Sequence, residues 1–86
     1  MSELDTIKIR MRKIAEDTEA VHGALHASMN SVAVIIPSIA QIIGGTATGA
    51  DINITMLLRQ AEQTMEAAIL VLQKAEEEAK AFVLRI

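Results

Sequence analysis

One pattern governs this chain: apolar side chains return at alternating steps of three and four residues along two long stretches. In the first stretch Leu4, Ile7, Met11, Ile14, Val21, Leu25, Val32, Ile35, Ile39 and Ile42 hold the slots, and Thr18 and Ser28 take the two that remain. In the second, Ile54, Leu58, Ala61, Met65, Ala68, Leu72, Ala75, Ala79, Phe82 and Ile86 fill every slot. A 3.5-residue return is the coiled-coil period and predicts helices that wrap around each other with a left-handed twist. The second seam alternates a mostly bulky set (Leu58, Met65, Leu72, Ala79, Ile86) with one that is small in its middle (Ile54, Ala61, Ala68, Ala75, Phe82). Small residues opposite large ones let two helices interdigitate.

The two stretches are separated by Gly44-Gly45-Thr46-Ala47-Thr48-Gly49-Ala50-Asp51. Gly44 or Gly45 suits the left-handed residue that closes a helix, and Asp51 or Asn53 suits the cap that opens the next. Thr48 and Asp51 are spaced as a capping box, as are Ser2 and Asp5 at the start of the first stretch. The expected fold is therefore all-α: an antiparallel, coiled-coil-like helix–turn–helix hairpin forming one domain over residues 1–86. Its helices should span about residues 3–43 and 52–86, with arms of ~60 and ~50 Å at about 1.5 Å per residue. Pro37 falls on the side away from the seam and should kink the first arm or break it, since proline lacks an N–H and clashes with the preceding turn. Two arms of this length leave apolar surface uncovered, which points to a four-helix bundle with a second chain.

Composition narrows the function. The chain has 86 residues, no cysteine, Phe82 as its one aromatic residue and a net charge of −3. Disulfides and thiolate metal sites are excluded, stacking platforms for single-stranded nucleic acid are missing, and there is no general attraction to phosphate backbones. His22 and His26 lie four apart on a face with Glu19, a spacing that serves a metal or a pH sensor, but with no fourth ligand they read as solvated histidines beside the seam. No serine or carboxylate has a histidine placed to serve it, and Gly44-Gly45 follows a helix without a nearby lysine. No enzyme activity, catalytic residue, metal or cofactor is expected. Lys74–Glu78 and Glu76–Lys80 are spaced as helix-surface ion pairs. The run Glu76-Glu77-Glu78 reads as a solvated helix face, set opposite the basic cluster Lys8, Arg10, Arg12 and Lys13 when the termini lie together.

Between residues 20 and 50 no side chain is charged, and residues 32–36 and 39–43 are apolar nearly all round. A helix that is apolar on every side is buried on every side. Val32, Ile35, Ile36, Ile39 and Ile43 on the first arm, with Leu57, Ile69, Leu70 and Val71 on the second, are thus the candidate partner-binding residues. A stable membrane span is not expected, because the continuously apolar part is only ~12 residues and a span needs about 20. Residues 1–19 mix charges with isolated apolar side chains and contain no signal-peptide core, which places the protein in the cytoplasm or on an export route without a cleaved leader.

A short cysteine-free hairpin with a glycine turn at mid-length resembles the WXG-type small proteins of bacterial type VII secretion systems. Where that family carries Trp-X-Gly at the turn, this chain has Ile43-Gly44-Gly45. Of the family's C-terminal export signal, an aromatic followed four residues later by an acid, only Phe82 is present, since Ile86 takes the acid's place. These departures make the chain more similar to the tryptophan-less helical partners of LXG toxins. The resemblance implies a targeting or chaperone-like partner that binds the toxin's N-terminal helical domain, or a WXG-like protein, before export. The alternatives left open are a homodimer, a self-assembling needle or filament subunit of another secretion apparatus, and a membrane-active hairpin.

Overall fold

The computed structural model describes residues 2–44 and 49–86. Ser2 opens the first helix: its hydroxyl accepts the Asp5 N–H at 3.1 Å and satisfies one of the free donors at the helix start. From there α1 runs Glu3–Ile43 and α2 runs Ala50–Arg85, and among the described residues there is no strand. The two helices pack side by side into a rod of 68 × 15 × 13 Å. The all-α hairpin expected from the periodicity is what forms.

Local features at the turn differ from expectation. Gly44 ends α1 with its N–H donated to the Ala40 carbonyl at 2.9 Å, but its φ of −60° is not left-handed. Among the described residues the left-handed glycine is Gly49, at φ 68°, which opens α2 in place of a side-chain cap from Asp51 or Asn53. Consequently α2 begins about two residues earlier than the sequence pattern places it. Gly45 and the Thr48 half of the expected capping box lie outside the described residues. Pro37 is exposed and α1 continues through it without a break.

The line of contact between the arms is rotated from the predicted seam. On α1 the inward residues are Met11, Ala15, Thr18, His22, Leu25, Met29, Val32, Ile36, Ile39 and Ile43. Half of these are predicted slots; the other half sit one residue beyond Ile14, Val21, Ser28, Ile35 and Ile42. The same one-residue offset recurs on α2, where Leu58, Met65, Leu72 and Ala79 face α1 as expected. Their alternate partners, however, are Thr55, Glu62, Ile69, Glu76 and Val83. The 3.5-residue period is kept while its phase shifts by about half a slot. Burial is shallow: among the described residues Ala15, Ile36, Ile69 and Ala79 are the buried apolar ones, and no side chain is fully enclosed.

Candidate partner-binding face

The shifted contact leaves a predicted row of the seam outside. Ile7, Ile14, Val21, Ile35 and Ile42 remain 38–78% exposed, forming a heptad-spaced ridge along α1 interrupted at Ser28. On α2 the displaced row is Ile54, Ala61, Ala68, Ala75 and Phe82, part-covered to exposed. Each row flanks the contact on its own helix. Because both helices are right-handed and run in opposite directions, these two flanks fall on the same side of the rod.

The opposite side confirms the arrangement. Arg12, Glu16 and Glu19 share one open groove with Lys80, Val83 and Leu84, and Ala40 shares another with Ile52, Thr55, Met56 and Arg59. Apart from Val83 and Thr55, which belong to the contact itself, those residues lie on the other two flanks. The hairpin thus has a rear that carries charge toward both ends and a front face whose rows carry no charge at all.

The expected partner-binding residues are distributed by this geometry. Ile35 lies on the front face, 44% exposed, and Leu57 and Val71 border it on α2, 65% and 66% exposed. Leu70 is also exposed, but on the outer side of α2. Ile36 and Ile69, expected to face a partner, are instead buried in the contact between the arms, at 9% and 5% exposure. Val32, Ile39 and Ile43 are half-buried in that contact. Of the turn tripeptide, Ile43 is half-buried, Gly44 is exposed and Gly45 is not described, while Phe82 is half-buried at the end of the front alanine row.

Polar residues inside the contact were missed. His22, expected as solvated, lies within it, and its Nδ1 is 3.9 Å from Glu76 Oε2 on the opposite arm. Glu76, expected on a solvated face, is buried. Its Oε1 accepts from Lys80 Nζ at 2.7 Å, and this bond with the carboxylate's charge holds the lysine above its ordinary range. The His26 ring lies against His22, centroids 5.0 Å apart. The expected Glu76–Lys80 pair therefore forms, whereas Lys74 and Glu78 make no ion pair among the described residues. With residue 22 opposite 76, the basic cluster is level with the end of α2 rather than with Glu76-Glu77-Glu78. Lys13 pairs instead with Asp17 of its own helix at 2.8 Å, which likewise raises its pKa.

No group of three or more metal-ligating side chains gathers among the described residues. By length and composition α1 could cross a membrane, with a mean hydropathy of 1.3 over its most apolar window. Only 6% of that window is buried, far less than in the core helix of a soluble protein that passes the same test.

No protein-family model matches this chain, and no curated protein or solved structure is similar enough to count as a match. The functional reading therefore rests on the face itself.

Proposed function

We propose that this protein is an interaction subunit whose front face completes a four-helix bundle with a helical hairpin of another chain. The observation that carries this is the exposed heptad ridge of Ile7, Ile14, Val21, Ile35 and Ile42. Residues that repeat every seven positions are placed for a helix running alongside, and covering each gains part of the roughly 1.5–3 kcal/mol that full burial of such a side chain is worth. A lone hairpin with no fully enclosed side chain among its described residues gains from a companion far more than it gains from solvent.

The sequence resemblance supplies the partner's identity in this proposal. It is the N-terminal helical domain of an LXG-type toxin, met in the cytoplasm and accompanied to a type VII secretion machine. The Ile43-Gly44-Gly45 turn and the lone Phe82 support this reading. The chain's role is then targeting or chaperone-like: it shields the apolar face of the toxin's helical domain until export. The face recognises shape and apolarity and performs no chemistry.

The test is to purify the tagged protein from its native host and identify what accompanies it. A toxin with a long helical N-terminus is the expected companion. Val71→Glu and Leu57→Glu, both at the edge of the front face, should abolish its recovery while leaving helicity intact. Recovery of the toxin undiminished by both changes would overturn the proposed face, and absence of any such toxin would overturn the assigned role.

A further inference from the structure

The contact between His22 and Glu76 leaves one ring nitrogen unaccounted for. His22 turns Nδ1 toward the Glu76 carboxylate on the opposite arm, and among the described residues no protein group bonds to its Nε2. One helical turn further on, the His26 ring lies 5.0 Å from that of His22, inclined at 44°. Two imidazoles bound to one zinc ion at about 2.0–2.1 Å, with a tetrahedral angle between them, have ring centres roughly 5 Å apart. The two rings already stand at chelating separation. Stacked rings also sit this close, but stacking gives no reason for a buried carboxylate behind one of them. Metal binding gives one. A metal-bound histidine donates its second ring N–H to a carboxylate, which fixes the ring and makes the other nitrogen a better ligand.

The hairpin presents these groups on the rear of the rod. Arg12, Glu19, His26, Ala33 and Ala40 follow one another at intervals of seven along α1, and Arg12, Glu19 and Ala40 line the rear grooves. His26 is exposed, and nothing lies within 4 Å of where a side chain on Gly23 would begin, so water and ions reach the rings. We propose that His22 and His26 bind a late first-row divalent cation of the kind that favours imidazole, zinc among them, with Glu76 of the second arm orienting the His22 ring. Two protein ligands leave the other coordination positions to water.

Glu76 is a positioning residue and does not touch the cation. At 3.9 Å its oxygen is too far from His22 for a hydrogen bond, and the gap closes when the cation draws Nε2 into line. Lys80, bonded to the other carboxylate oxygen at 2.7 Å, holds Glu76 in place for this. The spacing of the histidines is a property of one helix, whereas the carboxylate behind them exists only once the arms are packed. The cation therefore binds the folded hairpin in preference to the unfolded chain and raises its melting temperature. The site lies away from the front face and is independent of the proposed function.

Zinc chloride titrated into the full chain tests this, followed by calorimetry and by NMR of the isotope-labelled imidazole nitrogens. The expected result is one cation per chain, with Nε2 of His22 taking the metal and its Nδ1 keeping a proton. The melting temperature should rise in zinc, and magnesium chloride should leave the rings unchanged. His26→Ala, at an exposed position, should abolish saturable binding, and Glu76→Gln should weaken it at least tenfold. Circular dichroism shows that both variants remain helical. Zinc binding that survives His26→Ala overturns the site, as does one cation bridging two chains. Binding untouched by Glu76→Gln, or metal on Nδ1 of His22, overturns the part given to Glu76.

Discussion

His22 on the first arm and Glu76 on the second face each other across the hairpin, Nδ1 to Oε2 at 3.9 Å, in positions that a purely apolar seam would give to leucine. Glu76 is buried and His22 half-buried, and the carboxylate's second oxygen is held by Lys80. A polar pair at such a level tells the arms which register to adopt, because sliding one arm by a heptad would bury the carboxylate against Ala15 or Met29 instead.

If the pair specifies register rather than supplying stability, replacing it with packed apolar residues should raise the melting temperature. The double change His22→Leu with Glu76→Leu is expected to stabilise the hairpin by about 1–4 kcal/mol, read by thermal circular dichroism. A lower melting temperature would show that the polar pair itself holds the arms together.

Ile69 is the most instructive single position. Truncation to alanine should cost about 2–5 kcal/mol, comparable to the stability that a chain of this size can muster, so Ile69→Ala should lose helicity near room temperature. Val71→Ala, two residues on and 66% exposed, should leave the melting curve of the isolated chain within about 0.5 kcal/mol.

Three glycines should respond with different signs. Gly49 holds φ 68°, where a side chain costs about 1–2 kcal/mol, so Gly49→Ala should destabilise. A Cβ on Gly44 would run into the Ala40 carbonyl, and Gly44→Ala should destabilise as well. Around Gly23, in the interior of α1, nothing lies within 4 Å of a new Cβ, and Gly23→Ala should stabilise by about 0.5–1 kcal/mol. Parallel thermal melts of the three variants check this ordering.

The pH dependence has a defined sign at its alkaline end. Hydrogen bonds to Asp17 and Glu76, and then the charges of those carboxylates, raise the pKa of Lys13 and Lys80 in the folded chain. A raised folded-state pKa contributes stability that is fully present below the unfolded value of about 10.4 and is lost as pH climbs through the folded value. The melting temperature should therefore fall above pH ~10.4, and Lys80→Met should shrink that fall while leaving the neutral-pH curve shape unchanged.

The hairpin was legible in the sequence because a 3.5-residue period is a property of the helix surface alone. Arm lengths, the Ser2 cap and the outward position of Pro37 followed from the same reading. The phase of the contact did not follow. Choosing the most apolar row assigned Ile14, Val21 and Ala75 to the inside, where the structure places Ala15, His22 and Glu76. The most apolar row of a helix points at whatever buries the most of it. In the bundle proposed above, that direction would lie between two neighbours and not along the line to one. A single chain therefore satisfies its own contact with the second-best row, polar residues included. The signal was present in the thirds-and-fourths spacing of Thr55, Glu62, Ile69, Glu76 and Val83, but apolarity alone ranks that row lower.

Pro37 shows how narrowly a backbone interruption is tolerated. Its ring supplies no N–H for the carbonyl of Ala33, and Ala33 is exposed, so water can take the vacant acceptor. One residue earlier, the ring would occupy the buried site of Ile36 and orphan the carbonyl of Val32 beside the packed arm. A shift of 100° around the helix axis separates a harmless wetted notch from a thirsty carbonyl sealed in grease.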